Sequence, residues 1–287
     1  PMQRPLDDVV FVHGLWVTAA SWRPFVDPWR SAGYRVHTPE WPVICGLPVS
    51  TLRDAPPPAL GDLSIQTIVA HMAGYVAALP RPPLLVGHSF GGLFVQLLLD
   101  RGLGRAGIAI NPAPIAGVVP GWLTLRAAAP AVLRPRGDRR PYALSERLWA
   151  RRYANAAPPS LQQETWGRYV IPTSGRVIHQ AAFWRGTRVD PKRRRQPLLI
   201  TGSDRDRLVT PYLSRAAWRI QRRSAARTDY IHFPGRSHLL IAEPGWEAVA
   251  EACIAWDGRQ QGLIGADGAA ALQSDTDFLK APEGDFL

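Results

Sequence analysis

Short apolar runs alternate with longer amphipathic stretches along this chain, and such alternation predicts a parallel sheet covered by helices on both faces. The first run, residues 9–12, is apolar at every position, which favours a strand buried on both of its faces. After residue 64, apolar side chains recur at spacings of three and four, and Ser64 can cap the helix that this spacing predicts. The sequence therefore predicts an α/β fold with a mostly parallel, doubly wound sheet of about six strands. The predicted strands span residues 9–12, 34–37, 84–86, 107–110, 198–201 and 229–233.

Three segments depart from this alternation. Residues 42–63 hold five prolines and two glycines, which predicts a long irregular loop. Residues 115–196 contain no β-branched run of strand length, and their Arg-rich stretches between prolines predict a helical insertion. Residues 258–287 are mostly small and polar without a period, which predicts a disordered tail. We therefore predict a core made of residues 1–114 and 197–257, interrupted by the insertion and followed by the tail.

Residues 87–91, with the sequence Gly-His-Ser-Phe-Gly, match the pattern G-x-S-x-G between a predicted strand and a predicted helix. A serine on so tight a turn needs small neighbours, because larger side chains would clash with the strand and the helix. Its hydroxyl then projects above the sheet, where the N-terminus of the helix can stabilise a developing negative charge. This arrangement predicts that Ser89 is a catalytic nucleophile.

With this motif in this place, the chain resembles the α/β-hydrolase family, in its branch of lid-bearing serine esterases and haloperoxidase-like hydrolases, over residues 9–257. The resemblance implies an α/β-hydrolase fold in which residues 115–196 form a helical cap. It implies the chain order nucleophile, acid, base. It also implies that the chain lacks the two antiparallel edge strands of the full family sheet.

The resemblance also implies which residues act as the base and form the oxyanion hole. The family's base follows the last strand in a G-x-x-H ending, which His238 matches, and a histidine suits proton transfer near neutral pH. By the same resemblance, the backbone N–H groups of Leu15 and Phe90 would form the oxyanion hole. Trp16 is a candidate pocket residue, whereas the other tryptophans could equally pack the insertion against the sheet.

The acid has two candidates. In the family it follows the fifth predicted strand, usually as G-x-x-D-x-x-V, but the segment here is one residue longer. Counting back from Val209 selects Asp206, whereas counting forward from the glycine reaches Arg205 and leaves Asp204 as the alternative. We favour Asp206, because the carboxylate that orients the imidazole must be held by a buried turn. Asn111 occupies the family's other acid position and cannot carry the negative charge.

The net charge of the chain excludes few classes of binding partner. The net charge is +11, and of the 34 basic residues only two are lysines. The arginines are scattered and no nucleic-acid-binding motif accompanies them, so we expect no nucleic-acid partner. The basic run at residues 192–195 is interpreted as a solvated loop, with a carrier-protein or phosphate contact as the alternative.

The sequence indicates neither a cofactor site nor a membrane span. Cys45 and Cys253 are too few for a disulfide framework and belong to no cluster of metal-ligand spacing, so we expect reduced thiols and neither metal nor organic cofactor. No apolar stretch approaches the roughly 18 residues of a membrane span, and the N-terminal residues lack the apolar centre of a signal peptide. We therefore expect a cytoplasmic protein with no membrane partner.

These residues together predict a serine hydrolase that cleaves an ester, thioester or related acyl bond in a small apolar substrate through an acyl-enzyme. One alternative is a lyase, cyclase or cofactor-free haloperoxidase-like enzyme that uses the same triad. Another is a non-catalytic protein that binds a small molecule on this scaffold. Replacing Ser89 separates the first two, because a lyase that uses His238 alone would keep partial activity.

Overall fold

The computed structural model describes residues 7–121, 126 and 129–262. Six parallel strands form one sheet in the order β2-β1-β3-β4-β5-β6. The strands are β1 (Asp7–Val12), β2 (Tyr34–His37), β3 (Leu84–His88), β4 (Ala106–Ile110), β5 (Leu198–Ser203) and β6 (Thr228–Phe233). The predicted parallel sheet is therefore confirmed, with every pairing between strands parallel.

Helices connect consecutive strands and continue through the insertion. They are α1 (Arg23–Ser31), α2 (Val49–Asp54), α3 (Pro58–Gly61), α4 (Ile65–Ala77), α5 (Phe90–Asp100), α6 (Glu146–Leu148), α7 (Pro159–Tyr169), α8 (Gly175–Ala182), α9 (Pro211–Gln221) and α10 (Trp246–Gln260). Ser64 caps α4 as predicted, since its side chain accepts a hydrogen bond from the N–H of Thr67. The prediction of a wholly irregular loop at residues 42–63 was wrong, because α2 and α3 form there. Their prolines stand before or at the first helical positions, where a missing N–H breaks no helical bond.

The sheet is covered on both faces by apolar side chains. Alternate residues of a strand point to opposite faces, so Val10 of β1 packs with α4, α5 and α9, whereas Phe11 packs with α1 and α10. Phe11 stacks on Trp22 with ring centroids 4.7 Å apart. This two-sided core fixes the sheet, and with it the loops that leave its carboxyl edge.

Residues between β4 and β5 form a third apolar cluster around Trp149 and Tyr153. Two backbone hydrogen bonds tie this insertion to the core: Ile171 donates to the carbonyl of Trp16 at 2.9 Å, and Leu239 donates to that of Tyr153 at 2.9 Å. Both core residues lie beyond the carboxyl ends of strands, β1 and β6. The insertion therefore lies over that edge of the sheet.

The structure bears on the predictions of a C-terminal tail and of the absence of a membrane span. Helix α10 runs to Gln260, so the predicted tail boundary at residue 258 falls inside a helix, and residues 263–287 lie outside the described residues. Within the described ranges, no helix is long and apolar enough to cross a membrane.

The basic run at residues 192–195 is only partly solvated. Lys192 and Arg195 are exposed, but Arg194 is 1% exposed and donates hydrogen bonds to the side chain and carbonyl of Gln221. Burial lowers the pKa of Arg194 to about 10. The interpretation as a solvated loop was wrong for this residue, because its guanidinium satisfies buried oxygens between α9 and β6.

Candidate active site

Ser89 sits on a strained turn between β3 and α5. Its backbone has φ 57° and ψ −122°, a region that residues other than glycine seldom adopt. A Cβ atom on Gly91 would overlap the carbonyl oxygen of Val12, and one on Gly87 would overlap that of Gly91. The glycines of the G-x-S-x-G pattern are therefore required by close backbone contacts, and they let the serine stand at the carboxyl edge of the sheet.

The structure brings Asp206 to His238. Nδ1 of His238 lies 2.6 Å from Oδ2 of Asp206, and both side chains are buried. The other carboxylate oxygen accepts hydrogen bonds from the N–H groups of Leu208 at 2.8 Å and Val209 at 2.7 Å. Because a carboxylate only accepts, Nδ1 carries the ring proton and Nε2 is left to accept one.

The alternative acid, Asp204, does not reach the imidazole. It is exposed, and its Oδ1 accepts a hydrogen bond from the N–H of Gly235 at 2.5 Å. Asp204 therefore stabilises the loop that follows β6, whereas the buried turn holds Asp206.

Asn111 belongs to the site, although the sequence indicated only that it lacks the charge of an acid. It lies at the end of β4 with φ 42°, fully buried, and its Nδ2 donates to Oδ2 of Asp206 at 2.8 Å. The same amide donates to Oγ of Ser203 at 2.6 Å and accepts from Oγ1 of Thr201 at 3.0 Å. The amide, at the end of β4, thus supports the carboxylate of Asp206 in the loop that follows the neighbouring strand β5. A lone polar residue at the end of an otherwise apolar buried strand was the available signal.

Aromatic rings enclose His238. The ring of Tyr153, from the insertion, meets the imidazole edge-on at 4.6 Å between centroids, and the ring of His88 lies 4.7 Å away. Burial, and then repulsion by His238, lower the pKa of His88 well below its ordinary value, so this second histidine is neutral at pH 7. Neither ring was predicted to belong to the site.

A buried carboxyl fixes the loop that carries His238. Glu243 accepts hydrogen bonds from the N–H of Ser237 at 2.8 Å and from its hydroxyl. Burial raises the pKa of Glu243, against the opposing effect of those bonds. Ser237, the residue before His238, is thereby held at its backbone N–H and at its hydroxyl.

No hydrogen bond joins Ser89 to His238 in this structure. Nε2 of His238 is buried and has no partner among the described residues. Catalytic hydrogen bonds of this kind are often long before substrate binds. The structure therefore pairs Asp206 with His238 and places Ser89 directly after His88, without a hydrogen bond to the imidazole.

Two backbone donors flank Ser89. The N–H groups of Leu15 and Phe90 donate to no other group within the described part of the chain. Both residues line the same cavity as Ser89. A Cβ atom on Gly14 would lie 2.9 Å from that of Ser89, so the chain leading to Leu15 passes directly beside the serine.

A cavity of about 190 Å³ opens at Ser89, and its walls are mainly apolar. Trp16 is one of its walls, and its indole N–H donates to the carbonyl of Tyr142 at 3.2 Å. Of the tryptophans in the insertion, Trp184 also lines the cavity and Trp149 is fully buried, whereas Trp122 lies outside the described residues. Over the described ranges, no three His, Cys, Asp or Glu side chains come together in a way that could hold a metal ion.

Comparisons with known proteins place the chain in a family. Residues 9–252 match the model of the family described as "Alpha/beta hydrolase family". No curated protein sequence matches the chain. The structure is similar to that of a monoacylglycerol lipase from Paleococcus ferrophilus, at 20% identity over 87% of this chain and 93% of the lipase, with a TM-score of 0.65.

Two plant proteins have similar folds at lower identity. The methylesterase MES16 from Arabidopsis is 15% identical over 90% of this chain and all of its own, with a TM-score of 0.63. Tomato methylketone synthase I, solved with 2-tridecanone, is 15% identical over 88% of this chain and 98% of its own, with a TM-score of 0.64. At such identities the structural likeness concerns the fold, but the family match spans most of the sequence. The chain therefore belongs to the alpha/beta hydrolase family.

Proposed function

We propose that this protein is a serine hydrolase that cleaves an ester, thioester or related acyl bond through an acyl-enzyme on Ser89. The observation that carries the proposal is the buried pair of Asp206 and His238, joined at 2.6 Å, whose imidazole lies 4.7 Å from the ring of His88, the residue before Ser89 on its strained turn. Nucleophilic acyl transfer requires a serine hydroxyl together with an imidazole whose tautomer is fixed so that it can take the hydroxyl proton.

In the proposed mechanism, Nε2 of His238 takes the proton of the Ser89 hydroxyl as its oxygen attacks the substrate carbonyl. The N–H groups of Leu15 and Phe90 then stabilise the oxyanion. His238 passes the proton to the leaving group, and the acyl-enzyme forms. Water attacks this ester with His238 again as base, releasing the acid and restoring Ser89. Asp206 holds the imidazole tautomer throughout.

The cavity supports a small or medium-sized apolar acyl or alcohol group. Its volume of about 190 Å³ is somewhat larger than the roughly 150 Å³ of an apolar cavity that binds benzene. Most of the lining residues belong to residues 115–196. We propose that this insertion acts as a cap that limits the length of the acyl or alcohol group. The likeness to a lipase and a methylesterase supports ester substrates.

Labelling with a fluorophosphonate probe tests the nucleophile. We expect one adduct per chain by intact-mass spectrometry in the wild type and in the control Ser50→Ala, which changes an exposed serine remote from the motif. Ser89→Ala should take no label and hydrolyse no 4-nitrophenyl ester. Labelling that survives in Ser89→Ala, or none in the folded wild type, would overturn the proposal. Activity that survives in Ser89→Ala but not in His238→Ala would favour the lyase alternative.

A further inference from the structure

The charges that line the cavity at Ser89 are all positive. Of the described residues that line it, Arg126 and Arg152 are the charged ones, and none is an aspartate or glutamate. The rest of the wall is mainly apolar, from Leu144 and Ile178 among others. An apolar cavity whose charged lining residues are arginines suits a ligand with both an apolar part and a negative charge.

Neither arginine has a partner in the described part of the chain. Two other arginines of the insertion have carboxylate partners: Arg168 lies 3.0 Å from Glu164, and Arg176 lies 3.2 Å from Asp62. Arg152 and Arg126 form no ion pair or hydrogen bond with any described residue. An unpaired guanidinium in partly apolar surroundings is unfavourable unless a ligand or solvent satisfies its donors.

Arg152 is the better placed of the two. It is half-buried in the turn Trp149–Tyr153, next to the tyrosine whose ring packs on His238. Its charge also acts on the hydroxyl of Tyr142 in the cavity wall, where it opposes the burial that raises the pKa of that tyrosine. Arg126, by contrast, is exposed.

We propose that Arg152, assisted by Arg126, binds an anionic group of the acyl substrate, a carboxylate or a phosphate, while the apolar wall holds its hydrocarbon part. This inference rests on the proposed function and narrows it to anionic esters or thioesters. Arginine matches such oxyanions with two parallel hydrogen bonds, and the net charge of +11 favours the approach of negative substrates.

Three thioesters of equal acyl length test the inference. S-hexanoyl-pantetheine is neutral, S-adipoyl-pantetheine carries a carboxylate on the acyl end, and S-hexanoyl-phosphopantetheine carries a phosphate on the leaving group. We expect kcat/KM for one anionic member to exceed that of the neutral one by at least about tenfold, and the member preferred identifies the source of the charge. Arg152→Gln should lower that ratio about tenfold or more, and Arg126→Gln should lower it less. Raising the salt concentration should also lower it.

Arg151→Gln is the matched control, because Arg151 is an exposed neighbour outside the cavity lining. It should leave the ratio unchanged. Equal kcat/KM for all three thioesters, or an equal loss on all three in Arg152→Gln, would overturn the inference while leaving the hydrolase proposal standing.

A second readout does not need turnover. Hexyl phosphate should protect Ser89 from the fluorophosphonate probe at lower concentration than 1-hexanol in the wild type, and the difference should disappear in Arg152→Gln. Equal protection by the two compounds in the wild type would refute anion binding. Absence of labelling in the folded protein would instead refute the proposed function itself.

Discussion

The two aspartates of the loop after β5 give the sharpest test of the proposed triad. Asp206→Asn and Asp204→Asn make the same chemical change two positions apart, one in a buried turn and the other at an exposed site. Only the first removes the partner of His238. The pair therefore separates the role of the triad acid from any general effect on the loop.

The contacts of Asp206 give the expected size of the effect. Its Oδ1 accepts two backbone N–H groups, while its Oδ2 faces Asn111 and His238. An asparagine would keep its oxygen on the two backbone donors and turn its NH₂ group towards the imidazole. His238 would then have to accept at Nδ1 and carry its proton on Nε2, where it cannot take the proton of Ser89. We expect kcat to fall about 10⁴-fold, a barrier increase of about 5.4 kcal/mol.

The same substitution should also destabilise the fold. The new NH₂ group would face the amide NH₂ of Asn111, so that two buried donors oppose each other without an acceptor. We expect a loss of about 1–3 kcal/mol in the free energy of unfolding. Asp204→Asn keeps an oxygen for the N–H of Gly235 and should change kcat less than about threefold.

The assay is steady-state hydrolysis of 4-nitrophenyl acetate, together with the rate of labelling by the fluorophosphonate probe. Urea unfolding of each variant shows whether the protein measured is folded. A loss of 10³-fold or more in Asp204→Asn, or activity within about tenfold of wild type in folded Asp206→Asn, would refute this assignment of the acid.

Three further predictions follow from buried groups. Asn111→Leu removes the donor to Oδ2 of Asp206 and should lower the free energy of unfolding by about 2 kcal/mol and kcat about tenfold; wild-type values in urea unfolding and kinetics would contradict this. Burial lowers the pKa of His88 in the folded state, so below about pH 6.5 the unfolded chain binds a proton that the folded chain does not. The free energy of unfolding should therefore be retained above about pH 6.5 and fall by about 1.4 kcal/mol per pH unit below it. Urea unfolding between pH 5 and 8 should show that slope reduced in His88→Phe, and an unchanged slope would exclude His88 as its source. Exposed Cys45 should react with Ellman's reagent in the native protein, whereas Cys253, whose pKa burial raises to about 12, should react only after unfolding; two fast thiols would contradict its burial.

The predictable features of this fold are those encoded by nearby residues. Strand β2 has the predicted bounds, residues 34–37, directly after Gly33, a residue type that favours a helix end. Ser64 caps α4 through its own side chain. The turn at Ser89 was predictable for the same reason, since the pattern, the strand and the helix lie within a short segment. Helices α2 and α3 were missed because prolines are typical of loops. Only the structure shows that these prolines stand before or at the first position of a helix, where they are tolerated.

The remaining features depend on contacts between distant segments. Asn111 meets Asp206 only because β4 and β5 are neighbours in the sheet, and no spacing in the sequence indicates the direction of its amide. Arg194 belongs to a basic run that looks solvated, yet α9 and β6 bury it. The choice between Asp204 and Asp206 depended on a turn whose shape the one-residue length difference left open.

The distribution of the site over the sheet has a consequence for how the protein folds. Leu15, Ser89, Asn111, Asp206 and His238 each follow a different strand, and together they follow five of the six strands of the sheet. Parallel strands pair only across long stretches of chain, so such contacts form late and slowly. A refolding chain should therefore gain helical signal before Ser89 becomes reactive. Reactivity towards the probe would then report that all five of these strands have docked.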